Sequence, residues 1–242
     1  MDDKQAIRSS EVGSSKWMEA CARRNHADIK FIQLQTQFRC AGADKYLEWL
    51  DQVIYNQPVT SHFSTTDYEL RFFDSLQEMY DLLVEKQSRD NLTARLMAGF
   101  CWPWSEGLDN TGKPQKDVVI GDFAMPWETH RTLQRIPEGY VRWYEWAYRP
   151  EGMKQVGCIY TAQGFEFDYA GVIIGPDIRY DAINDCLTTD ITASKDPMLN
   201  KDPKGFDGYV RNIYRVLMSR GMKGTFVYCC DPVVKDYLKR FL

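Results

Sequence analysis

The chain has 242 residues, 44% of them hydrophobic, and a formal net charge of −4. That is enough apolar material for one α/β domain with insertions, and the acid-leaning balance, with a pI of about 5.5, excludes a generally basic surface while leaving room for a local cationic groove. No apolar run is long enough to span a membrane, Met1-Asp-Asp-Lys4 is not a signal peptide, and seven cysteines without a Cys-x-x-Cys pair, beside only His26, His62 and His130, offer no metal grouping and read as reduced thiols of a cytoplasmic protein.

In chain order, Asp2 to Ser10 is polar and reads by itself as a flexible terminus. Ser14 or Ser15 is placed to cap a helix through Trp17, Met18, Cys21 and Ala22. Asp28 to Leu34 predicts a strand. After Gly42, a helix over Asp44–Ile54 carries Tyr46, Leu47, Leu50 and Ile54 at helical spacing. Residues 57–72, with Pro58 and several Ser and Thr, read as loop. Ser75 to Gln87 predicts an amphipathic helix with Leu76, Met79, Tyr80 and Leu83 on one face. Thr93 to Trp102 predicts a strand, 105–117 a mobile loop, and Val118 to Ile120 a short strand. In the next stretch Trp127, Trp143 and Trp146 stand near Arg131, Arg135 and Arg142. Alternating aromatics and cations can stack single-stranded bases, or can be core tryptophans beside surface arginines.

The stretch around which the chain is organised is Val156 to Gly175. An apolar run opens it, the polar turn Thr161-Ala-Gln-Gly-Phe-Glu-Phe-Asp168 follows, and a second apolar run ends at Gly175. Both apolar runs read as buried parallel strands. Residues 181–206 form a polar excursion with hairpin character. Asp207 is placed to cap a helix from Gly208 to Arg220, with Gly221 and Gly224 as its stop. Thr225 to Cys229 predicts a strand, and Pro232 opens a terminal helix.

Four stretches together resemble superfamily 1 helicases. Gln163-Gly-Phe-Glu-Phe-Asp168, after Thr161-Ala162, is similar to motif V. Arg211 to Gly221, closing on Ser219-Arg-Gly221, is similar to motif VI. Gln37-Phe-Arg39 is similar to motif IV, and Asp2-Asp-Lys-Gln5-Ala-Ile7 to motif III. They occur in the family's order. Trp102-Pro-Trp104, Gly175-Pro-Asp-Ile-Arg-Tyr180 and Arg220-Gly-Met-Lys-Gly224 resemble one subgroup, the Schlafen-related bacterial family of DNA/RNA helicase domains.

That resemblance implies an α/β fold: a RecA-like, P-loop NTPase-type parallel sheet flanked by helices, with insertions near 105–150 and 181–206. Residues 1–242 would be the second RecA-like domain. Arg220 and Arg39 would reach nucleotide phosphates as arginine fingers, and Gln5 would sense the terminal phosphate. Glu166 and Gly164 would face nucleotide, and Thr161 and Gln163 nucleic acid. Read by themselves, Arg39 is a surface cation and Arg220 a helix C-terminal residue favoured by the macrodipole. No Gly-x-x-x-x-Gly-Lys-Ser/Thr occurs, since Gly112-Lys113 is followed by Pro114. ATP and Mg2+ would therefore be held by an upstream P-loop domain, the expected partner together with single-stranded or duplex nucleic acid, and the chain alone is expected to hydrolyse negligible ATP. The alternative is a nucleic-acid-binding or interaction module that kept the fold and lost catalysis.

Overall fold

The computed structural model describes residues 4, 6–7, 15–30, 40, 43–60, 63, 68–89 and 91–242. At its centre is a four-stranded sheet, β1 (Glu69–Phe73), β2 (Ala94–Ala98), β5 (Phe167–Ile174) and β8 (Gly221–Cys229), in the order β1-β8-β5-β2. Every neighbouring pair is parallel. Parallel strands need crossovers that cover both faces. On one face lie α2 (Asp44–Ile54), α5 (Phe206–Met218) and α6 (Pro232–Lys239). On the other lie α3 (Leu76–Arg89) and the hairpin of β3 (Val118–Ile120) with β4 (Phe123–Met125).

The strand period of two sorts side chains between these layers. Ala94, Leu96 and Ala98 of β2, Tyr169 and Ile173 of β5 and Phe226 of β8 pack with Met79 and Leu83 of α3. Met97, Ala170, Val172, Ile174, Val227 and Cys229 pack with Leu50, Ile213 and Leu217 on the opposite side. The expected α/β architecture, a parallel sheet flanked by helices and interrupted by insertions, is the one observed.

Helix α2 has the expected bounds, and it buries Trp49 and Val53 in addition to the four residues its spacing picks out. Helix α3 starts where Ser75 Oγ accepts the Glu78 amide at 3.2 Å. Helix α6 starts with Pro232 after Asp231, whose carboxylate accepts the Val233 amide at 2.9 Å. Helix α1 (Ser15–Arg24) forms as predicted but buries none of its side chains.

Several expectations are corrected. The first apolar run, 156–160, is not a strand: Val156 and Gly157 make single parallel bridges to Trp127 and Met97, and helix α4 (Ile159–Ala162) follows. Strand β1 begins inside the presumed loop 57–72. Gly221 and Gly224 lie within β8 rather than ending a helix. Gly205, not Asp207, is the residue before α5, and Asp207 instead pairs with Arg211 at 2.7 Å. The hairpin expected within 181–206 starts earlier, with β6 (Ile178–Asp181) pairing β7 (Cys186–Thr189), and residues 190–205 carry no strand. Of the strand predicted over 28–34, residues 28–30 have no regular structure and the rest lie outside the described residues. Trp127 and Trp146 are core residues at 2% and 0% exposure, so the packing reading holds for these two.

Candidate functional site

The edge of the sheet where β5 and β8 begin brings two of the recognised stretches together. Helix α5 ends at Met218, and Ser219 and Arg220 lead into β8. The turn 163–166 leads into β5, whose Phe167 pairs with Gly221. The Phe167 amide donates to the Arg220 carbonyl at 2.8 Å. The Arg220 guanidinium folds back beneath this turn, with Nε donating to the Val216 carbonyl at 3.2 Å and Nη1 to the Phe165 carbonyl at 3.1 Å. Arg220 is 2% exposed. Backbone carbonyls take up donors on two of its three nitrogens, which offsets part of the cost of placing a guanidinium that deep.

A second set of bonds fixes the chain on either side of Arg220. Tyr46 of α2 donates to the Met218 carbonyl at 2.9 Å, and Tyr68 to the Gly221 carbonyl at 2.9 Å. Thr225 Oγ1 lies 2.6 Å from the Tyr68 hydroxyl and reaches the Met218 carbonyl at 2.9 Å. The two tyrosine rings stack at 4.2 Å. Burial pushes both phenols well above their ordinary range, so they stay neutral donors. Cys40 Sγ sits 3.8 Å from the Ser219 carbonyl. Arg39 and Gln5 lie outside the described residues.

In the motif V-like turn, Gly164 has φ +98°, a value L side chains rarely adopt, and a Cβ there would meet nothing within 4 Å. Gly164, Phe165 and Glu166 are exposed and Gln163 half-buried, so the turn presents a mixed apolar and polar rim to solvent. Thr161 is different. It is buried, its Oγ1 accepts the Cys158 amide at 3.2 Å, and Glu128 Oε1 lies 3.3 Å away. Asp168 closes the turn, accepting the Thr93 amide at 2.9 Å and pairing with Lys223 at 3.0 Å. Its partial burial pushes the carboxyl upward, but the Thr93 and Lys223 contacts outweigh that and hold it below its ordinary value.

Glu128 is a residue that sequence reasoning missed. It is 2% exposed and lies under the turn. Oε1 accepts from Cys158 Sγ at 3.0 Å, while Oε2 has no partner among the described residues. Burial drives its pKa up to about 7, against the lowering effect of the Cys158 bond. Glu128 is also among the residues around a small pocket with Trp104, Asp117, Trp127 and His130. The Trp-Glu-Thr-His run at 127–130 was the available signal, but its partner Cys158 lies too far along the chain to be inferred.

At the opposite edge of the sheet, where open α/β folds usually seat ligands, buried side chains bond one another and the backbone. Tyr214 donates to buried Asp177 at 2.5 Å and accepts the Gly175 amide at 2.8 Å. The recognised turns lie at the amino ends of β5 and β8. Among the described residues no group of three His, Cys, Asp or Glu could hold a metal ion, and the sequence has no phosphate loop. These residues do not by themselves fit an ATP–Mg2+ site. Also among the described residues, no helix is long and apolar enough to cross a membrane.

A family model described as Schlafen group 3, DNA/RNA helicase domain, matches residues 1–231. An uncharacterised protein of Saccharomyces cerevisiae is 28% identical over 277 aligned positions, covering 99% of this chain and 56% of the yeast protein. The chain therefore spans about half the length of that curated relative. No solved structure matches it significantly.

Proposed function

The chain belongs to the Schlafen group 3 DNA/RNA helicase domain family, and from that premise we propose that it is the second RecA-like domain of a superfamily 1-type, ATP-dependent DNA or RNA helicase or translocase acting in the cytoplasm. The observation that carries this is the meeting of the motif V-like turn and the end of the motif VI-like helix at Arg220 and Phe165. In a two-domain motor these two turns form the wall that faces the nucleotide held by the other domain. Arg220 and Arg39 are the cations assigned to that wall. Arg39 is supported by its sequence neighbour Cys40, which lies against the carbonyl of Ser219, the sequence neighbour of Arg220. Glu166 and Gly164 stand on the exposed rim, in keeping with a role at the domain boundary. Gln163 shares that rim, whereas the inward hydroxyl of Thr161 makes it a support for the turn. Gln5 is assigned by its motif alone.

The P-loop domain that would hold ATP and Mg2+ is the required partner. An arginine aimed at a transferring phosphoryl group is worth roughly 10³–10⁵ in rate. Combining the chain with a P-loop-bearing domain from a longer family member should therefore yield nucleic-acid-stimulated ATP hydrolysis that neither part has alone. Arg220→Lys should lower that kcat by about 10³-fold. Robust turnover by this chain alone, or combined turnover indifferent to Arg220→Lys, refutes the proposal.

One observation favours a second reading. At 2% exposure, with two carbonyls on its guanidinium, Arg220 already serves the domain's own architecture. A domain that kept the helicase fold but acts only as a binding module would look the same at this residue. It would bind nucleic acid and show no turnover in any combination.

A further inference from the structure

The stretch 129–149 packs one set of side chains inward and turns another to solvent. Trp146 is fully buried, donates from Nε1 to the Gln155 carbonyl at 3.0 Å, and meets Phe167 edge-to-face at 5.8 Å. Gln155 in turn grips both backbone groups of Val141. Arg142 joins the outer loop to this anchor, donating to the Gln134 carbonyl at 2.9 Å and the Leu133 carbonyl at 3.4 Å, beside a parallel bridge between Thr129 and Arg142.

On that anchored base the outward side chains are aromatic and cationic. Tyr144 is 52% exposed and Tyr148 59%. Trp143 meets Tyr144 edge-to-face at 5.5 Å, and the Arg131 guanidinium lies over the Trp143 ring at 4.6 Å. Arg135, Arg149 and Lys154 are also exposed. Between 131 and 154 there are five cations and three carboxylates, in a chain whose net charge is −4. Rings held outward on a pinned turn, with cations around them, match what single strands offer: open base faces and a phosphate row. A duplex keeps its base faces stacked on one another and cannot use such rings.

We propose that Trp143, Tyr144 and Tyr148, with Arg131, Arg135 and Arg149, form a stacking platform for single-stranded nucleic acid, distinct from the turn at 161–168. The choice of ligand rests on the helicase-type reading, but the location does not. Tyr144 and Tyr148 take successive bases, and the arginines take phosphates.

The test is anisotropy of labelled deoxythymidine and uridine oligomers of about 15 nucleotides, near the upper end of usual site sizes, titrated at about 50 mM salt and above. Tyr144→Ala and Tyr148→Ala should each weaken binding about 10-fold with an unchanged salt slope. Arg131→Ala should lower that slope by about one. The two oligomers distinguish DNA from RNA. The altered tyrosines are exposed, so thermal melting should match the unaltered chain. Should a variant melt early, quenching of tryptophan emission by the oligomer, reduced in Trp143→Phe, supplies the same answer. Unaltered affinity in the double tyrosine variant overturns the platform, as does tighter binding of duplex or no binding by the parent chain, which would leave these rings to a protein partner. None of these outcomes touches the two-part motor, which is decided by ATP turnover of the combined domains.

Discussion

Arg220 Nη1 donates to the Phe165 carbonyl at 3.1 Å, and two residues on, the Phe167 amide donates to the Arg220 carbonyl at 2.8 Å. The segment between α5 and β8 that carries Arg220 and the turn that carries Phe165 are thereby bonded to each other at one edge of the sheet. Any shift of one turn must move the other, which is what coupling between nucleotide and nucleic-acid contacts would need.

Removing that guanidinium should loosen both turns. Arg220→Ala leaves the Phe165 carbonyl without this donor, while the Val216 carbonyl keeps the Ser219 amide and hydroxyl, at a cost of about 1–3 kcal/mol. Urea unfolding should show the midpoint falling with m unchanged. An unshifted midpoint would mean that the contact holds nothing together.

Glu128 makes stability depend on pH. Its carboxyl titrates near about 7 when folded against 4.5 as the ordinary value. The folded state therefore keeps the proton longer than the unfolded one. The resulting stabilisation is fully present below pH 4.5 and lost as pH rises through about 7, amounting to about 3 kcal/mol. Glu128→Gln should flatten this part of the profile and raise melting temperature at pH 8. If the variant and parent profiles run parallel from pH 5 to 8, the buried acid is not protonated as argued.

Tyr68→Phe deletes a hydroxyl that serves both the Gly221 carbonyl and Thr225. Leaving those buried groups short should cost about 1–2 kcal/mol, or a fall of roughly 2–8 °C in melting temperature for a domain this size. Calorimetry checks it, and an unchanged transition argues against the network.

Two glycines should respond differently to alanine. A Cβ on Gly157 would lie 2.2 Å from the Trp146 ring. Gly157→Ala must then displace a core tryptophan, costing about 1–3 kcal/mol. Gly164→Ala meets no atom, but its φ of +98° adds about 1 kcal/mol or more of backbone strain. Near-UV circular dichroism should change for the first and stay constant for the second. The reverse pattern would contradict the packing described.

How much of this was legible follows from how far each cause reaches along the chain. Helix α2 was readable to the residue because Tyr46, Leu47, Leu50 and Ile54 recur within the helix itself. Helix α6 was readable from Pro232. The run at 156–160 misled because Val156 and Ile159 look like strand residues, whereas Cys158 and Thr161 bond each other's backbone and start a helix. Strand β1 was masked by the Ser- and Thr-rich stretch before it. Gly221 and Gly224 read as stops, yet their partners Phe167, Glu69 and Tyr169 draw them into the sheet. The Arg220–Phe165 contact was not legible, because it joins residues 55 positions apart. Glu128 was invisible because its partner, Cys158, is a tertiary neighbour.

The placement of β8 between β1 and β5 matters during synthesis on the ribosome. Phe72 and Val172 both wait for Val227 as their pairing partner. A nascent polypeptide with β1, β2 and β5 already extruded still presents two unfilled hydrogen-bonding rows until residues 221–229 clear the exit tunnel. Such rows invite pairing with other chains. Early termination anywhere before Cys229 should therefore yield insoluble, chaperone-bound product rather than a smaller stable domain.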